Sequence, residues 1–119
     1  MENIKFIRQI TDYVKGQRTT IGNCIYYNFL NGNKVKLWCY EYGVRAEVIN
    51  KIDGKVDSVD FPFANYFDPT QCSEGAPKWT QHIDHGKWYF SEMYTHVLPK
   101  EKDYMNLARA LREYIEMYR

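Results

Sequence analysis

Residues 24–40, CIYYNFLNGNKVKLWCY, constrain this chain more than any other stretch. Two runs of strand formers flank Asn31-Gly32-Asn33, and a polar, glycine-containing break between such runs predicts a β-hairpin. Side chains alternate across a strand, so the register decides what each face carries. A three-residue loop at 31–33 pairs Phe29 with Val35, Tyr27 with Leu37 and Ile25 with Cys39, gathering one apolar set on one face. A two-residue Asn31-Gly32 turn mixes lysine into that set, so the longer loop is preferred. The opposite face then holds Tyr26, Asn28, Lys34, Lys36, Trp38 and Tyr40.

A second hairpin is expected in VRAEVINKIDGKVDSVDFPF, residues 44–63, turning on the favoured dipeptide Asp53-Gly54. Its pairing sets Val48 against Val59 and Ala46 against Phe61, with Arg45, Glu47, Ile49 and Lys51 on the other side. Pro62 ends the strand or marks a sheet edge. The same register puts Glu47 opposite Asp60, a like-charge contact that costs a little. It reads as a solvated edge rather than an acid–base couple.

Amphipathic helices bracket this β region. Phe6, Ile7, Ile10, Tyr13 and Val14 recur at helical spacing within residues 3–15, with Gly16 as a stop. Behind Pro99, Tyr104, Leu107, Ala108, Leu111, Ile115 and Tyr118 do the same. Arg109 with Glu113 and Arg112 with Glu116 are i, i+4 pairs on its outer face. The fold class expected is α+β: N-terminal helix, antiparallel meander of about four strands, long loop, further hairpin, C-terminal helix, as one domain over 1–119. Residues 64–77 have no period and form the long loop.

Charge excludes some function classes. Sixteen basic residues nearly balance fifteen acidic ones, so no global field points to nucleic acid or an anionic surface. The first ten residues carry no secretory pattern, and no stretch approaches the roughly 20 apolar residues of a membrane span. Cys24, Cys39 and Cys72 are odd in number and lack C-x-x-C spacing, which fits free thiols in a cytoplasmic protein. Phosphate loops, nucleophile elbows and dinucleotide fingerprints are absent, and no cofactor is expected.

The stretch KWTQHIDHGKWYF, residues 78–90, looks most like chemistry. Strands at 78–83 and 87–93 joined by Asp84-His85-Gly86 account for its polar residues: aspartate opens the turn and glycine takes the left-handed position. His82 then faces Trp88. A metal site would use His82, Asp84 and His85, with His96 folding back, but the ligand spacing of known metal motifs is missing. A thiol enzyme would pair Cys72 with His82 or His85 and orient the base with Asp84, again without a family signature. Both stay as the enzymatic alternative, centred on residues 72–85.

The working face is expected to be the sheet surface of Tyr26, Lys34, Lys36, Trp38, Tyr40 and Arg45, together with the 64–77 loop. Eleven tyrosines and three tryptophans exceed what a small core needs, and aromatic and arginine residues dominate binding hot spots. Rings interleaved with cations also suit single-stranded nucleic acid, the second reading. Near-neutral charge favours a protein partner, in the manner of adaptors and inhibitors such as phage or mobile-element accessory proteins; a homodimer through the same face is a further alternative.

Overall fold

The computed structural model describes residues 2–14, 16–40, 42–68, 81–84, 87–90 and 99–119, as backbone alone for 2–6, 81–84 and 87–90. The order is α1 (Glu2–Thr11), β1 (Arg18–Ile21), β2 (Cys24–Asn28), β3 (Lys34–Tyr40), β4 (Gly43–Ile49), β5 (Val56–Pro62), a short 3-10 turn (Phe63–Asn65), β6 (Gln81–Asp84), β7 (Lys87–Phe90) and α2 (Glu101–Glu116). β1 to β5 form one antiparallel sheet in chain order, and β6 pairs with β7 separately. The architecture is α+β, with five strands in the meander rather than about four.

The additional strand is β1. Its partner register, Ile21 opposite Cys24, leaves Gly22-Asn23 as a two-residue turn. Arg18 fastens it to the first helix: its guanidinium donates to the Thr11 carbonyl at 3.1 Å and to the Asp12 carboxylate. The Thr11 hydroxyl bonds back to the Ile7 carbonyl at 2.8 Å. The helix therefore ends at Thr11, short of the expected residue 15, and the turn that follows brings Val14 into the core.

Two predicted registers move by two. β2 pairs with β3 as Ile25–Leu37, Tyr26–Lys36, Tyr27–Val35 and Asn28–Lys34. The Phe29 N–H donates to the Asn33 carbonyl at 3.0 Å, so the loop is Leu30-Asn31-Gly32, one residue earlier than 31–33. Gly32, at φ +90°, explains the shift: a left-handed residue closes a three-residue loop, and only glycine adopts that conformation freely. β4 pairs with β5 as Ala46–Val59, Val48–Asp57 and Arg45–Asp60. Its loop is four residues, 51–54, closed by the Asn50 N–H to the Lys55 carbonyl at 2.9 Å. Lys51 thus lies in the loop, not on the strand. The Asn50 and Asp53 side chains each accept a backbone N–H two residues on, and Gly54 again ends the loop with positive φ.

An even shift leaves every side chain that stays on a strand on its predicted face. Both helices pack on the inner one. Ile7, Ile10 and Val14 from α1 and its following turn, with Leu107, Ala108, Leu111 and Ile115 from α2, share a core with Ile25, Tyr27, Val35, Leu37, Cys39, Val44, Ala46, Val48 and Phe61. The segment after β5 adds aromatic depth: Phe63 and Phe67 stack at 5.1 Å, and Tyr104 meets Phe67 edge-on at 6.1 Å. Tyr66, Tyr104, Tyr114 and Tyr118 pack on this core too, so much of the tyrosine excess is structural. Tyr13, expected in the buried stripe, is exposed and donates to Glu101 at 3.3 Å. On α2, Glu116 pairs with Arg119 at 3.1 Å rather than with Arg112.

The far end of α2 is clipped to both hairpin loops. Asn31 and Asn33 donate to the Tyr118 carbonyl at 3.1 and 3.0 Å, while the Asn33 side-chain oxygen accepts the Lys51 N–H at 3.0 Å. Among the described residues, no helix is long and apolar enough to cross a membrane.

Candidate binding face

The outer sheet surface follows from the register. One cross-strand row runs Tyr26–Lys36–Glu47–Ser58, the next Trp38–Arg45–Asp60, and Tyr40–Gly43–Pro62 flanks them. Lys34 and Ile49 stand opposite each other on the other flank, with Val56 beyond. All six residues expected on this face lie on it, and neither helix covers it. Lys34 is exposed; Tyr26, Lys36, Trp38, Tyr40 and Arg45 are half-buried.

Each basic side chain rests on a ring. The Lys36 ammonium sits 4.8 Å from the Trp38 ring centre, Lys34 lies 5.9 Å from Tyr26, and the Arg45 guanidinium lies 4.8 Å from Tyr40. Such contacts draw on the negative face of the ring. Arg45 also makes a two-point ion pair with Asp60, Nε to Oδ1 at 2.6 Å and Nη2 to Oδ2 at 3.1 Å. That hydrogen-bonded pairing holds the Asp60 carboxyl below its usual range and raises the Arg45 guanidinium. Burial, then the Asp60 charge, push the Tyr40 hydroxyl up, and Arg45 opposes them.

One of these partners was missed in the sequence. The expected register set Asp60 against Glu47; the structure sets it against Arg45, and Glu47 faces Ser58. Charge would have found it, since moving the pairing by two exchanges a repulsion for an ion pair.

The enzymatic alternative is centred on residues 72–85. Cys72, His85 and His96 lie outside the described residues, as does the expected loop beyond residue 68. His82 and Asp84 belong to β6, but the register is Asp84–Lys87, Ile83–Trp88 and His82–Tyr89, so two residues rather than three span the turn. This odd shift moves His82 from Trp88 to Tyr89. Among the described residues, no group of three or more His, Cys, Asp or Glu side chains is arranged to hold a metal ion. Cys39 is buried, which pushes its thiol well up and away from nucleophilic character. A depression of about 590 Å3 beside Gly16, Phe29, Leu30 and Arg119 carries no acid–base pair among the described residues. Among the described residues, the features that resemble a site concentrate on the outer sheet face. Compared with protein-family models, curated proteins and solved structures, the chain matches none.

Proposed function

We propose that the outer sheet face is a docking surface for a protein partner, and that the chain acts by binding rather than by catalysis. The observation that carries this reading is the triple stack of Lys34 on Tyr26, Lys36 on Trp38 and Arg45 on Tyr40, on a face that neither helix covers. Aromatic and arginine side chains held in place lose little freedom on binding, which is what makes such residues hot spots. Charge selects the class of partner. Arg45 is neutralised by Asp60, and Glu47 stands opposite Lys36. Two lysines against one further carboxylate make a weak magnet for a phosphate backbone. They suit a mixed polar and apolar protein surface.

The test compares wild type, Trp38→Ala and Lys36→Glu by quantitative retention of polypeptides from the native extract on immobilised protein. Losing a hot-spot ring costs at least about 2 kcal/mol, so the retained partner should weaken more than tenfold with Trp38→Ala. Lys36→Glu should weaken it while leaving the circular dichroism spectrum unchanged. Equal retention by all three proteins sinks the proposal. Binding of a labelled oligothymidylate by wild type, falling steeply with salt, transfers the face to single-stranded nucleic acid.

A further inference from the structure

β5 is an edge strand seven residues long, and its first five residues, Val56 to Asp60, are all exposed. Its ladder shows which backbone groups are free. The Asn50 N–H reaches the Lys55 carbonyl and the Phe63 N–H reaches the Tyr42 carbonyl, both in the register of the β4–β5 pair. Antiparallel bonds alternate along a strand, so Asp57, Val59 and Phe61 face β4, while Val56, Ser58, Asp60 and Pro62 turn their backbone groups outward. Pro62, without an N–H, falls at an outward position, where proline is tolerated. The other three outward positions offer both a donor and an acceptor, and among the described residues no strand lies beyond them.

Edges of this kind are normally blunted by charged side chains, lysine above all, by a bulge or by proline. Between Val56 and Asp60 there is no lysine or proline and the ladder runs without a bulge; the charges are Asp57 and Asp60, the latter paired with Arg45, and Val56 and Val59 are 54% and 38% exposed. We infer that β5 pairs antiparallel with β5 of a second copy of this chain across a two-fold axis at Ser58. The proposal stands independently of what the outer face binds.

The axis follows from complementarity. Outward-facing residues must meet outward-facing residues, which restricts the axis to a residue position. At Ser58, Val56 faces Asp60 of the second copy, Asp57 faces Val59, and the two serines face each other, so every outward N–H meets a carbonyl. An axis at Asp57 or Asp60 sets identical carboxylates directly opposite, which is unfavourable. An axis at Val59 sets Val56 against Pro62, which has no N–H to give. Pairing at Ser58 makes one continuous sheet from two five-stranded ones and carries the two aromatic faces side by side.

A contact limited to one strand pair belongs to the small, weak class below about 1,200 Å2, so assembly depends on concentration. Sedimentation equilibrium of the full chain should show the mass doubling as concentration rises to about 0.5 mM, the range a weak interface of this kind requires. Ser58→Lys, which sets two ammonium groups opposite at an exposed position, should stay monomeric with an unchanged circular dichroism spectrum. Ser58→Cys, in a chain carrying Cys24→Ser and Cys72→Ser, should oxidise to a covalent dimer. Facing Cα atoms in a hydrogen-bonded pair lie about 5.5 Å apart, within disulfide reach. Gln17→Cys, exposed and away from β5, should not cross-link. A wild type that remains monomeric, a Ser58→Lys variant that dimerises as wild type does, or a Ser58→Cys chain that cross-links no faster than Gln17→Cys would each overturn the inference.

Discussion

Asp103→Ala is expected to destabilise the protein by about 2–4 kcal/mol, the sum of two orphaned backbone donors and a lost helix cap. The carboxylate is 1% exposed, at the third position of α2. One oxygen accepts the Lys100 N–H at 2.8 Å, satisfying a donor just ahead of the helix. The other accepts the Asp68 N–H at 3.0 Å, so the same side chain ties the segment that leaves Phe67 to the start of α2. Its negative charge also lies at the positive end of the helix dipole. Alanine removes all of this. Asn keeps one acceptor and turns an NH2 toward the other donor, so Asp103→Asn should lose roughly half as much. Urea unfolding at neutral pH measures the difference. A loss below about 0.5 kcal/mol for Asp103→Ala, the scale of an ordinary surface change, would show that the tether carries no weight. Glu101→Ala, exposed in the same first turn, is the control and should remain near that scale.

Asp103 also marks where sequence reading stops. The α2 stripe was readable from spacing alone, because Leu107, Ala108, Leu111 and Ile115 repeat with the helical period and all four are buried. That its carboxylate also holds the Asp68 N–H, 35 positions away, is a contact no local pattern reports. The sheet shows the same division. Faces were legible, since Tyr27, Val35 and Leu37 can only be buried together; the first loop was placed one residue late, and the second was two residues too short. Had positive φ been assigned first, Gly32 would have ended its loop and the β2–β3 register would have followed; Gly54 already ended the expected Asp53-Gly54 turn, and there the loop's length was missed. β1 was overlooked because Arg18, Thr19 and Thr20 carry little apolar signal, although Gly22-Asn23 is a hairpin dipeptide. For the binding face, the rings and cations were legible from alternation, whereas the Asp60 partner of Arg45 needed the right register.

Gly43→Ala is expected to cost about 2–3 kcal/mol, the upper range for forcing atoms into a packed site, and Gly43→Val more. The reason is space rather than backbone conformation. A Cβ built on Gly43 would run into the Phe61 carbonyl oxygen and come within 2.7 Å of the Pro62 Cα, both backbone atoms of the neighbouring strand that cannot swing aside. Gly54 supplies the contrast. Its φ is +69° and a Cβ there meets nothing within 4 Å, so Gly54→Ala pays only for a left-handed alanine, about 1 kcal/mol. The ranking Gly43→Val, Gly43→Ala, Gly54→Ala in chemical denaturation separates the two causes; a Gly54→Ala loss equal to that of Gly43→Ala would refute the contact argument. The consequence reaches the binding face. Gly43 lies opposite Tyr40 and Pro62, one row from Arg45 and Asp60, so an intruding methyl must push β5 away from β4 where that ion pair spans them. The Asp60 carboxyl is held low by Arg45, so partial separation should let it rise toward the ordinary carboxylate range. In the folded Gly43→Ala protein, carboxyl-detected NMR titration should therefore move the Asp60 midpoint upward. An unmoved midpoint beside a full loss of stability would mean that the strain is absorbed in the Phe61–Phe63 segment instead, leaving the face intact.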